Sequence, residues 1–342
     1  MIFSLLLIML LAMGWVKQPE QIEEKYTKDK FLSLRAVLAM LIVFGHTFPD
    51  NAYGIEALDK VLLLFNNMGF LCTSMFFFLS GYGVYESAKN RPDYFNHFFR
   101  KKIIKILVPY WIINVAYIIV DTIVNQQVDM IRILISFVWP LYNKAAWYAF
   151  SVLIVYLFMY LTMHCFRLHK SKLYICIGIL LACYTASFYI ARIGSWWYVS
   201  TFAVLLGIVF SDYKSKFAKS FYTWISTILF AILYVGMLWL GENVPYSIKI
   251  AIKMLLSIVF PFMLCMLMRS RRLDTKWLNI LGNSSYEIYL VQGLFVQYLK
   301  IACNRPILYE ISSIINVCLS IILGYLVSKP ISLLFRRITY KK

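Results

Sequence analysis

Two ionisable side chains stand inside one apolar run. Phe31 to Phe48 reads FLSLRAVLAMLIVFGHTF, long enough to cross a bilayer, and it holds Arg35 and His46. Eleven residues at about 100° each return to within about 20° of the starting direction, so both lie on one helix face, about 16 Å apart along the axis. A charged or ionisable group in hydrocarbon costs of order several kcal/mol and normally faces a partner or a polar cavity. Two on one stripe point to a polar pathway. A neutral imidazole can take a proton from a hydroxyl near neutral pH, and a guanidinium offers a planar fork of donors to an anion or carbonyl. The bland alternatives are a histidine bonded across packed helices and an arginine snorkelling to headgroups.

Four further stretches carry candidate groups. MFFFLSGYGVYES places Ser80 beside Gly81 and Gly83, small residues that also let helices approach closely. FFRKKIIKILVPYW carries Arg100, Lys101, Lys102 and Lys105 into an apolar run. Basic residues at a helix start suit phosphates, because unbonded backbone N–H groups add to the side chains; such a run also fixes orientation in a membrane. AAWYAFS holds Trp147, a lining residue or an interfacial anchor. In LNILGNSSYEIYLVQ, Asn283 or Ser284 is placed to cap a helix. Ser285, Tyr286 and Tyr289 can turn hydroxyls inward there, and Glu287 is read as pairing with Lys276 or with a helix dipole.

The elements that position these groups are membrane helices. Of 342 residues, 61% are hydrophobic and 15% charged, where soluble domains have about 45–50% and about 25%. Apolar runs at 31–48, 61–82, 103–124, 146–163, 173–190, 196–211, 221–240, 250–268, 278–299 and 307–328 predict an all-α polytopic bundle of ten core transmembrane helices. Residues 1–16 read as an additional N-terminal hydrophobic anchor, 17–30 as a cytoplasmic linker, and 31–342 as the membrane domain. One set of alternate loops holds 25 of the 34 Lys and Arg and the opposite set 8, which places the C-terminus in the cytoplasm, Arg35 near the cytoplasmic end of its helix and His46 nearer the outer end. The net charge of +18 is therefore topogenic and directed at anionic lipid rather than nucleic acid. Seven scattered Cys, with no C-x-x-C, read as small buried hydrophobes with no disulfide framework and no metal site.

The order of these motifs resembles the bacterial membrane acyltransferase-3 family over about residues 31–335. The resemblance rests on Arg35 followed by ten residues and then His46, the aromatic stretch ending in Ser80-Gly81, the basic run closing in KILVPYW, the Trp147-Tyr148-x-x-Ser151 helix, and LGNSSYEIYL. This chain has mostly Lys where many members repeat Arg, lacks a Glu after Ser151, and has Gln292 where relatives often have His. The resemblance implies a multi-pass cell-membrane O-acyltransferase. Acetyl-CoA would serve as donor, with its phosphates near Arg100, Lys101 and Lys105, and the acceptor would be an envelope glycan or glycolipid. His46 as base and Arg35 as anion or carbonyl ligand would be catalytic, with Ser80, Trp147, Ser285, Tyr286 and Tyr289 as substrate contacts. Two other classes stay open: a transporter or flippase of a lipid-linked glycan, and an acyl-group exporter serving a separate transferase.

Overall fold

The computed structural model describes residues 15–17, 31–47, 68–166, 169–217, 220–240, 244–268, 271–273, 275–299 and 306–340. It is an all-α membrane helix bundle. In chain order the helices are α1 (Leu32–Thr47), α2 (Gly69–Asn90), α3 (Phe98–Asn125), α4 (Met130–Ser136), α5 (Trp147–Phe166), α6 (Lys170–Ile190), α7 (Ala203–Tyr213), α8 (Ser220–Leu240), α9 (Tyr246–Leu267), α10 (Lys276–Asn283), α11 (Ser285–Leu299) and α12 (Pro306–Tyr340). One strand pair joins Trp15–Lys17 (β1) antiparallel to Arg271–Leu273 (β2). The rest of the expected anchor and linker, 1–14 and 18–30, lies outside the described residues.

Each of the ten apolar runs carries a helix, and the boundaries move where tertiary contacts decide them. The second run continues past Tyr82 to Asn90, because Glu86 and Lys89 find partners on α7: the Ser211 hydroxyl donates to Glu86 at 2.8 Å and Lys89 donates to Ser211 at 2.6 Å. The sixth run is α-helical only from Ala203, after a 3-10 turn at Ser195–Trp197, since Ser200 and Thr201 spend their hydroxyls on the carbonyls of Phe70 and Tyr198 at 2.8 and 2.9 Å. The run at 278–299 breaks at Ser284 into α10 and α11. Helix α4 lies in a stretch read as loop; Asp129 caps it by accepting from the Arg132 N–H at 2.9 Å.

Helices α3, α5, α6, α9 and α12 are each long and apolar enough to cross a membrane. Ile112, Val115, Ile119 and Ile123 of α3 are exposed at steps of three and four, as are Ile225, Ile228 and Ile232 of α8. Exposed apolar stripes at helical spacing are lipid-facing surface. Helix α1 is the exception: Ala36, Ala39 and Val43 are fully buried, and it packs against α2, α10, α11 and α12. Cys72 and Cys265 are buried as expected, whereas Cys165, Cys183 and Cys318 are exposed, because they sit on outward faces of their helices.

A tight seam joins α2 to α7. A Cβ on Gly81 would strike the Val204 carbonyl oxygen, and one on Gly207 would strike the Phe78 carbonyl oxygen. Gly83, read from sequence with Gly81 as a packing residue, has open space beside it and lines a cavity instead. Near the end of the same seam, Asp212 on α7 accepts from Tyr85 of α2 at 2.8 Å and from Tyr174 of α6 at 2.5 Å, and pairs with Lys170 at 3.1 Å. Burial works against its ionised form, but the hydrogen bonds from Tyr174, Tyr85 and Lys170 outweigh it and hold the carboxyl below its ordinary value.

Two outcomes follow. Gly207→Ala, like other overpacking changes, should destabilise by about 1–3 kcal/mol, read as a lower thermal midpoint of the purified protein, while Gly83→Ala leaves the midpoint unchanged. Asp212→Asn should also lower the midpoint at neutral pH. Because the folded pKa is depressed, the native advantage is complete above the unfolded value of about 3.9 and is lost as pH falls through the lower folded value. The gap between wild type and Asp212→Asn should therefore close in acid and not in mild alkali.

Candidate active site

Helix α1 sets the geometry of the site, and α11 answers it. The Arg35 guanidinium donates to the Ser285 hydroxyl at 3.1 Å. One helix face further along, His46 Nδ1 lies 3.2 Å from the Gln292 carboxamide oxygen. Both pairs ascend together, so α1 and α11 run parallel and share a seam. Ser33 adds a rung to α10, donating to Asn279 at 2.7 Å. Gly282 allows this approach, since a Cβ there would strike the Leu32 carbonyl oxygen. The break at Ser284 turns the chain from α10 into α11. The Ser284 carbonyl accepts the Ile288 N–H at 2.9 Å, as a helix-start residue does, while its hydroxyl pairs with Ser328 at 2.8 Å rather than capping.

Arg35 and His46 face two different cavities. A cavity of about 750 Å³ lies at the Arg35 end, lined also by Ser80, Lys102, Lys105, Tyr156 and Lys214. A second, of about 460 Å³, lies at the His46 end, with Trp147, Tyr289 and Gln292 in its wall. Between them stand aromatic rings. Tyr148 lines the Arg35 cavity and meets Tyr289 of the His46 cavity edge-on at 6.0 Å, and Phe77 packs on Tyr148 at 4.9 Å. Tyr289 is held by donating to the Ala145 carbonyl, and Tyr286 by donating to the Ile106 carbonyl at 3.0 Å. The single polar pathway expected from the stripe is thus two chambers with an aromatic layer across it, because neighbouring helices fill the space that one helix face leaves open.

Charge is uneven between the chambers. Among described residues, the Arg35 cavity is lined by four cationic side chains and one carboxylate, Glu86, which is already paired with Lys214 at 3.0 Å. Lys102 reaches this wall across the Tyr156 ring, 4.8 Å from its centroid. Arg100 and Lys101, expected at a phosphate site, are exposed and line neither cavity; of the three residues singled out, only Lys105 does. Lys102 and Lys214 take their place. Lys102 follows buried Phe98 by four residues and precedes buried Ile106 by four, a spacing that marks it as the inward lysine of the run.

Other expected residues fall as follows. Ser80 is in the Arg35 cavity and receives the Tyr156 hydroxyl at 3.4 Å. Trp147, nearly buried, is in the His46 cavity and leans on Trp197 at 6.1 Å. Ser285 lies under Arg35 and lines neither chamber. Glu287 is buried in the first turn of α11 and makes no ion pair with Lys276 among the described residues, while it acts on Arg35 through space. Sequence reasoning gave Gln292 no role, and only its place opposite His46 reveals it. One of its amide atoms is met by His46; the other, Nε2, is buried with no hydrogen-bond partner.

A scan against family models matches residues 31–333 to an acyltransferase domain, the acyltransferase-3 family. The chain belongs to the acyltransferase-3 family. It is a multi-pass membrane acyltransferase, as the motif order implied. No curated protein and no solved structure matches the chain. The match begins at Phe31, one residue before α1, and so includes both chambers and every group that lines them.

The aromatic layer makes the chambers separately addressable. In a background with all seven Cys replaced, Ser80→Cys should react with a membrane-impermeant thiol reagent from the Arg35 side of sealed vesicles. Ser195→Cys, in the His46 cavity, should react only from the opposite side. Labelling of both from one side would remove the partition.

Proposed function

We propose that this acyltransferase moves an acyl group, acetyl in the simplest case, from acyl-CoA to a hydroxyl of an envelope glycan or glycolipid. The observation that carries the reading is the placement of Arg35 and His46, on one helix, in two cavities of different lining. The Arg35 chamber carries four cationic side chains against one described carboxylate and suits the phosphates of the donor, with Lys102, Lys105 and Lys214 as their ligands. By the distribution of Lys and Arg, this end faces the cytoplasm, where acyl-CoA is made, and the C-terminus lies on the same side. The His46 chamber faces outward and receives the acceptor.

Gln292 defines how His46 acts. With its carboxamide oxygen accepting from Nδ1–H, the imidazole carries its proton on Nδ1 and its basic lone pair on Nε2. The acceptor hydroxyl gives its proton to Nε2 as its oxygen attacks the thioester carbonyl. The new C–O ester bond forms, the C–S bond breaks, and the CoA thiolate leaves and takes up a proton. Arg35 lines the donor chamber, where its donors hold an amide carbonyl of the pantetheine arm while the thioester end reaches through the aromatic layer toward His46. The acyl group crosses the layer at Tyr148 and Tyr289, which therefore limits how large a group can pass. Ser80, Trp147 and Tyr289 touch substrate; Ser285 and Tyr286 hold the walls.

His46→Ala should reduce acyl transfer by about 10²–10⁴-fold, the usual cost of a lost general base, with normal protein level and unchanged acyl-CoA affinity. Arg35→Ala should also impair transfer, and Arg35→Lys should recover part of it. Lys102→Gln and Lys214→Gln should raise the KM for acyl-CoA with little change in kcat, whereas Arg100→Gln and Lys101→Gln should not. A His46→Ala protein with near wild-type transfer rate would return His46 to a packing role and favour transport over catalysis.

A further inference from the structure

The His46 chamber contains cations that the transfer reaction does not require. Lys144 and Lys253 both line it, and its described wall has no carboxylate. Among the described residues neither lysine is in an ion pair. Lys144 stands exposed at the mouth, in the short turn Lys144–Ala146 before α5.

Lys253 is the telling group. It lies inside the candidate membrane span Tyr246–Leu267, seven residues or about 10 Å along α9 from its start. It follows buried Ile250 by three residues and precedes buried Ser257 by four, so it shares their inward stripe, while Ala251 and Leu255 take the exposed face. Snorkelling along the lipid surface does not describe a lysine on the inward face. Its ammonium lies 5.6 Å from the Phe70 ring centroid, and Phe70 lines the same chamber. A cation–π contact offsets only part of the cost of a half-buried ammonium with no counter-ion. The remainder falls to whatever fills the cavity.

The rest of the wall suits a sugar. Trp147 and Trp196 present indole surface, of which Trp196 is more than half exposed. The Nε2 of Gln292, which has no hydrogen-bond partner, is a donor for a hydroxyl or ring oxygen. Flat aromatic faces, amide donors and two ammonium groups in one chamber match a glycan that carries its own negative charge.

We infer that the acceptor is an anionic glycan, whose carboxylate or phosphate is held between Lys144 and Lys253 while a neighbouring hydroxyl meets His46. This rests on the acyl-transfer reading above and narrows its acceptor to one charge class.

The test uses the full chain in nanodiscs of zwitterionic lipid and measures equilibrium binding of three probes: trigalacturonate, a glycerol phosphate trimer and maltotriose. One or both anionic probes should bind, more weakly as salt rises, and maltotriose should bind far less. The pair of anionic probes separates carboxylate from phosphate recognition. Lys253→Gln should weaken anionic binding about ten- to hundredfold, the range for one charge-assisted hydrogen bond. Lys144→Gln, at an exposed position that folding does not need, should weaken it in the same direction, and Lys172→Gln at the far end should not. The inference fails if maltotriose binds as well as the charged probes, if no charged probe binds, or if both lysine variants bind like wild type. It fails equally if anionic lipid added to the nanodisc is what the lysines hold, seen as lysine-dependent lipid retention that no glycan displaces. Acyl transfer from acetyl-CoA is followed separately with His46→Ala. Lysine-dependent binding without any transfer sinks the enzymatic reading and leaves the anion site. Transfer that needs His46 but ignores both lysines does the reverse.

Discussion

A guanidinium and an imidazole on one apolar helix must be satisfied by something other than lipid. This requirement organises the bundle. Helix α1 is buried on nearly every side, and α11 runs alongside it to bring Ser285 to Arg35 and Gln292 to His46. The break at Ser284 serves the same end. It lets α10 hold the beginning of α1 through Asn279 and Gly282 while α11 is aimed separately at its remaining length. Helix α12 closes over the joint, with Ser328 on Ser284. Losing Ser285 would take from the Arg35 guanidinium a hydroxyl it donates to, in a place where water is scarce.

The aromatic layer turns one polar stripe into two environments. Tyr148, Tyr289 and Phe77 are packed edge to face, an arrangement that fills space while Tyr148 lines one chamber and Tyr289 the other. On the Arg35 side the lysines surround a volume with a paired carboxylate at its rim. On the His46 side the cations are fewer, the wall is richer in indole, and the imidazole is oriented by an amide. The proposed transfer from a donor in one compartment to an acceptor in another would need such a barrier, since an open channel between the chambers would leak ions.

Much of this was legible in the amino-acid sequence. Hydropathy alone gives an all-α membrane bundle, because every backbone polar group in hydrocarbon must be paired within its own helix. The ten runs all contain helices, and the order of motifs names the family that residues 31–333 match. The 11-residue spacing of Arg35 and His46 is enough to put them on one face, since helix periodicity is local and independent of what surrounds it.

The tertiary structure decided what those faces meet. Helical spacing groups Lys102 with Phe98 and Ile106 and apart from Arg100 and Lys101, but that this is the face turned inward depends on where Tyr156 of another helix stands. Gly81 and Gly83 look alike in sequence, yet only the first is pressed against another backbone. The importance of Gln292 comes from a residue 246 positions away in the chain. The division between the chambers comes from rings on α2, α5 and α11 that meet only after the bundle is assembled. Sequence spacing fixes the direction of a side chain from its own helix axis; the partner it finds there is set by how separate helices pack, and that information is non-local.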